Sequence, residues 1–192
     1  MDTTTLLWLL VGLAALAVVA LVASGLVQRR RAAALQSRYG SEYFRLVHEH
    51  HGNTRRAEAA LLEREKRVKH LTIRTLTPEE QQRFATGWAK AQARFVDDPM
   101  GAVTEADQLV TSLMQARGYP MADFETRAAD LSVDHPRVVE HYRAARQIAG
   151  KNYSGQANTE ELRRSLVHYR VLFGELLETP TAPPPARITP QV

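Results

Sequence analysis

Hydrophobic and polar positions divide the chain into four regimes. From Leu6 to Val27 there are 22 successive residues without a charge, broken only by Gly12, Ser24 and Gly25. Between Gln28 and Leu76 apolar positions are sparse and charges dense. From Thr77 to Glu178 apolar residues recur at spacings of three and four, the period of helices that bury one face. Thr179 to Val192 carries five prolines and almost nothing to bury. The expected architecture is all-α: a single N-terminal transmembrane helix, a juxtamembrane helical stalk and a compact helical bundle. Its segments are a short tail at 1–5, the membrane helix at 6–27, the stalk at 28–76, the bundle at 77–178 and a disordered, polyproline-like tail at 179–192.

At about 1.5 Å per residue the first run reaches roughly 33 Å, enough for a hydrocarbon core of about 30 Å. A cleaved signal peptide would instead want a basic start and an apolar core of about 7–15 residues. Met1-Asp2-Thr3-Thr4-Thr5 has no lysine or arginine and the run is longer, so an uncleaved anchor is favoured and secretion is the alternative. Arg29, Arg30, Arg31 and Arg38 follow the run and no basic residue precedes it, which places the C-terminal domain in the cytoplasm, below the inner membrane. Gly12, Ala20 and Ser24 form a weak small-residue stripe along this helix.

In the stalk, Arg30 to Arg38 continues the membrane helix and Gly40 interrupts it. Ser41 is the expected cap of a short helix carrying Tyr43, Phe44 and Val47. The polar cluster His48 to Asn53 ends that helix, and Thr54 starts the next, which runs to about His70. Glu63 with Arg67 and Glu65 with Lys69 form i,i+4 pairs on it. A helix so polar is exposed or docks along one narrow seam. Leu71, Ile73 and Leu76 then pin an extended linker to the core.

The bundle opens on Thr77-Pro78-Glu79-Glu80, a cap, a proline where the amide needs no partner, and two acids facing the helix dipole. Phe84, Trp88, Ala91 and Phe95 make the first inner face. Asp97-Asp98-Pro99 begins a second helix with Val103, Ala106, Val110, Leu113 and Met114 inward, stopped by Gly118. A third spans about Asp123 to Leu131. A fourth runs from Pro136, with Val138, Val139, Tyr142, Ala145 and Ile148, to a stop at Gly150. Lys151 to Asn158 is a loop, and Thr159-Glu160-Glu161 opens a fifth helix with Leu162, Leu166, Tyr169, Phe173 and Leu176 inward.

Composition narrows the chemistry. Without cysteine there is neither a disulfide frame nor a thiolate metal site. The +4 net charge is uneven: Gln28 to Thr75 holds 12 Arg or Lys against 5 Glu, whereas Leu76 to Glu178 holds 12 against 15 acids. The basic part adjoins the expected membrane, where anionic lipid attracts it by about 1 kcal/mol per charge. The acidic distal part argues against nucleic acid as a partner. His48 and His51 share a helical face, yet no third ligand with metal spacing follows, and they read as a solvated helix end. Asp134 beside His135, with Ser132 near, resembles part of a hydrolytic set, but neighbouring residues do not orient carboxylate on imidazole. A polar site at Asp97, Asp107, Asp134 and His135 remains as the candidate for a small ligand or a metal. No cofactor is expected, and no catalytic residue is assigned.

Phe95-Val96-Asp97-Asp98-Pro99, Ala106-Asp107, Arg117-Gly118-Tyr119-Pro120, Asp130-Leu131-Ser132-Val133-Asp134-His135-Pro136, Tyr142-Arg143, Thr159-Glu160 with Leu162-Arg163, and Tyr169-Arg170 with Phe173 occur in one order. Together they resemble a family of bacterial proteins in which a hydrophobic N-terminal segment precedes a helical domain of this size. The resemblance covers roughly Arg38 to Leu177 and implies no activity, cofactor or catalytic residue. The function expected on these grounds is a membrane-anchored, non-enzymatic interaction or scaffold protein with a protein partner. The alternative is a membrane-tethered sensor domain that binds a small ligand or metal.

Overall fold

A computed structural model describes residues 3–178, except the side chains of residues 3–11, Ala14, Ala15 and Ala17. The protein is all-α: among the described residues there are eight helices and no strand. They are α1 (Thr3–Tyr39), α2 (Ser41–Glu49), α3 (Thr54–Lys69), α4 (Pro78–Arg94), α5 (Pro99–Ala116), α6 (Phe124–Asp134), α7 (Val139–Tyr153) and α8 (Thr159–Glu178). The chain divides into two compact units, Met1–Ala59 and Ala60–Val192, with the division inside α3. The proline-rich tail expected at 179–192 lies outside the described residues.

In the first unit α1 runs unbroken through Arg30 to Arg38 and ends where Gly40 turns at φ 53°, a conformation that costs glycine little. Ser41 does not cap α2. Gly40 occupies the cap position and no side chain accepts a bond there, because Ser41 already lies within the first helical turn. Tyr43 and Leu46 form the buried face, joined by Glu42, which receives two hydrogen bonds from Arg45. Phe44 is 56% exposed instead of sharing that face, since one residue along a helix is about 100° around it. Asn53, not Thr54, caps α3 by accepting from Arg56 N at 3.1 Å. Among the described residues no helix is long and apolar enough to cross a membrane. Of the run Leu6 to Val27, the side chains of Leu6 to Val11, Ala14, Ala15 and Ala17 lie outside those residues.

In the second unit α8 packs against α5 and α7, and α4 packs against α5. Val103, Ala106, Val110, Leu113 and Met114 of α5 are all fully buried, as their spacing predicts. Trp88 stacks on Phe173 with centroids 4.8 Å apart. Thr77 and Glu80 close a reciprocal capping box on α4. Asp98 caps α5 through Gly101 N at 2.9 Å, and Asp123 caps α6 through Thr126 N at 3.0 Å.

Gly118 ends α5 at φ 97°, with Gly118 N bonded to Gln115 O and Tyr119 N to Met114 O. These two bonds satisfy carbonyls that the helix end would leave open. A side chain at Gly118 would run into Thr72 O, and Arg74 N donates to Arg117 O at 2.9 Å. The linker is thus stitched to this turn, with Leu76 in the core and Ile73 packed on it.

Three helix ends differ from expectation. The third bundle helix continues past Leu131 to Asp134. The fourth starts at Val139, after a turn, and does not stop at Gly150. Gly155, at φ 67°, is the true terminator: its N–H bonds Asn152 O while Gln156 N bonds Lys151 O. Asn152 is held by bonds from its amide to Met100 O and Thr104 Oγ1, which carries the helix through the glycine. Asn158 caps α8 ahead of Thr159, its Oδ1 accepting from Glu161 N at 2.8 Å.

Candidate functional site

The four candidate residues fall into different surroundings. Asp97 sits exposed in the turn between α4 and α5. Asp107 is buried on α5, where Tyr169 donates to Oδ1 at 2.7 Å, Arg146 to Oδ2 at 2.6 Å and Tyr153 to Oδ2 at 3.4 Å. Asp134, at the end of α6, accepts from Tyr119 Oη at 3.2 Å. His135 follows it but turns inward, with Nδ1 3.1 Å from Glu175 Oε1 of α8. Asp107 thus joins α5 to α7 and α8, while Asp134 and His135 tie the α6 end to the α5 terminus and α8.

The electrostatics fit cross-links that hold the fold. Burial pushes the Tyr169 phenol above its ordinary range, and the neighbouring Asp107 charge adds to this, so the hydroxyl stays a donor. Burial, then Asp134, does the same for Tyr119. For Arg146, burial opposes its charge, but Asp107, Tyr169 and Tyr153 outweigh burial and keep it above the ordinary value. Arg117, buried at the α5 terminus, is lowered by burial against the attraction of Tyr119, Asp134 and Glu175, and it donates to Leu176 O at 2.7 Å. Ser132 donates to Ala129 O at 2.6 Å, Asp134 accepts from Tyr119 and His135 meets Glu175. The three members of the suspected hydrolytic set each have separate partners.

The polar α3 uses its seam. Arg67 reaches the fully buried Asp130 of α6, with Nε at 2.7 Å and Nη2 at 2.6 Å from Oδ1, and Arg64 extends towards Ser132 Oγ at 3.5 Å. Glu63 pairs with Lys66 at 2.7 Å rather than with Arg67, because the buried carboxylate is the stronger partner for that guanidinium.

Two further features were missed in reading the sequence. A groove of about 740 Å³ runs between α4 and α5, past buried Phe84 and half-buried Leu109, with Arg83 and Lys90 exposed beside it. Gly87 makes room there, since a Cβ would lie 3.0 Å from Leu109 Cδ2. None of the four candidate residues lines it. The second is a histidine pair, His141 of α7 and His168 of α8, with Nδ1 atoms 2.9 Å apart and both rings half-buried. Burial, His141 and Arg164 lower the His168 pKa, in that order. The sequence signal was slight: each histidine precedes an inward tyrosine, Tyr142 or Tyr169.

Among the described residues no group of three or more His, Cys, Asp or Glu stands where it could hold a metal ion. Arg29, Arg30, Arg31 and Arg38 are exposed on α1. What the folded chain defines is a class, an all-α protein whose distinctive polar residues join helix to helix. Compared with protein-family models, curated proteins and solved structures, the chain finds no match in any of the three.

Proposed function

We propose that this chain is a membrane-anchored helical interaction or scaffold protein without chemistry of its own, its C-terminal domain held at the cytoplasmic face of the inner membrane. The observation that carries the reading is the surface of α1. Leu13, Leu16, Val18, Val19, Leu21, Val22, Leu26 and Val27 are 48–71% exposed, on every side of the helix. Eight such side chains in water forgo on the order of ten kcal/mol of burial, a cost a lipid environment removes. Ser24 adds no polar cost there, since its hydroxyl donates to Leu21 O at 2.8 Å.

The arginines beyond the run favour anionic headgroups and a cytoplasmic domain. The non-enzymatic part of the reading is supported by how the motif residues are used: Asp98 caps α5, Gly118 turns the chain, Tyr119 and Asp134 bond each other, and Asp130 receives Arg67. The same motif set supports membership of the bacterial family it resembles.

Fractionation of cells expressing the full-length chain tests the proposal. The protein should stay in the membrane pellet through an alkaline carbonate wash, and protease added to intact spheroplasts should leave the domain whole. A domain released by the wash, or digested from outside, overturns it. A native-membrane pull-down should return a stoichiometric protein partner rather than the chain alone.

A further inference from the structure

We propose that His141 and His168 form a two-point clamp for a divalent transition-metal ion of the zinc class. Their Nδ1 atoms, on the packed helices α7 and α8, are 2.9 Å apart. Two imidazole nitrogens bound to one tetrahedral zinc, each at about 2.0–2.1 Å, stand about 3.3 Å apart. The backbone therefore already sets the rings within a few tenths of an ångström of the required bite. Their planes are inclined at 42°, with centroids 5.2 Å apart, and to aim both lone pairs at one tetrahedral ion each ring turns by about 35° off the line between the nitrogens.

Without metal the pair shares one hydrogen bond, in which one Nδ1–H donates to the other Nδ1 lone pair. To admit the ion, the donor ring passes that proton through solvent to its own Nε2. Both Nδ1 lone pairs are then free, both Nε2 atoms carry hydrogen, and no net charge is lost. Half-burial shields the rings yet leaves the ion's remaining positions to water, or to a carboxylate brought by another protein. Arg164, on the next turn of α8, carries the opposing charge and makes this clamp weaker than a closed four-ligand site.

The test uses the untagged full-length protein in detergent micelles, freed of metal with chelator and titrated with zinc chloride at neutral pH by calorimetry. One saturable site is expected. His141→Asn and His168→Asn should each weaken it by about tenfold or more, since loss of even an indirect metal contact costs about that much. The double variant His48→Asn/His51→Asn should leave it unchanged. X-ray absorption at the zinc edge of the wild type, which needs no variant to fold, should show two imidazole nitrogens with oxygen completing the shell. The proposal is overturned by no saturable binding, by unchanged affinity in both clamp variants, by loss confined to the His48/His51 variant, or by a spectrum without imidazole scattering.

Discussion

Asp130 is fully buried, and its two oxygens fare differently: Oδ1 takes Arg67, while Oδ2 has no hydrogen-bond partner among the described residues. A carboxylate in that position depends on the Arg67 guanidinium. Arg67→Met should therefore destabilise the protein by about 3 kcal/mol, near the low end for a broken buried pair because Arg67 itself is 45% exposed. Replacing both, with Asp130→Leu added, should recover most of the loss in urea unfolding. Tyr169→Phe removes a 2.7 Å donor to buried Asp107 and should cost about 1.5–3 kcal/mol, the range for a bond to a charged group. Gly118→Ala has two faults, a left-handed φ of 97° and a collision with Thr72 O. It should cost more than about 1 kcal/mol and free the 71–77 linker to exchange its amide hydrogens faster. The sequence marked Gly118 as a helix stop, but not the linker carbonyl that closes over it.

Among the elements, α4 has the most complete local signal, and the structure reproduces it as a capping box with Arg74 added outside. The Arg74 guanidinium, 2.6 Å away, and then Thr77 N–H hold the Glu80 carboxyl down to about 2 from an ordinary 4.5. With its folded value depressed, Glu80 contributes stability above about pH 4.5, and that contribution is lost as pH falls from there towards about 2. Glu80→Gln should flatten that part of the thermal stability profile and leave the profile above pH 5 parallel to the wild type. Thr77→Ala should cost about 1 kcal/mol. At α7 local reading failed for a definable reason. Gly150 and Gly155 look alike as stop signals, but Asn152 is bound to Met100 O of α5, and that tertiary contact holds the helix through the first glycine. The expected cap of α2 failed by one residue, since Ser41 follows the residue that takes the cap position, whereas α3 and α8 begin at Thr54 and Thr159 as read, capped by Asn53 and Asn158.

For the whole molecule, the proposed topology turns on the three arginines after Val27. Replacing Arg29, Arg30 and Arg31 with glutamine should leave membrane association intact, because the apolar run is unchanged, but should expose part of the domain population to protease outside spheroplasts. An unchanged protection pattern would remove these charges as the determinant of orientation. Leu113→Ala, at the centre of the α5 face, should cost about 2–5 kcal/mol whatever the environment of α1.

The chain's own order of residues determined the all-α class, the inner faces of α4, α5 and α8 and the terminator at Gly118, because period, caps and glycine turns act within one or two helical turns. Which polar groups meet was decided only in three dimensions. His141 lies 27 residues from His168, Asp107 lies 62 from Tyr169 and Arg67 lies 63 from Asp130. The first two pairs exist because α7 and α5 each pack along α8 in one register, set by the sum of apolar contacts along both helices and not by any pattern near either residue.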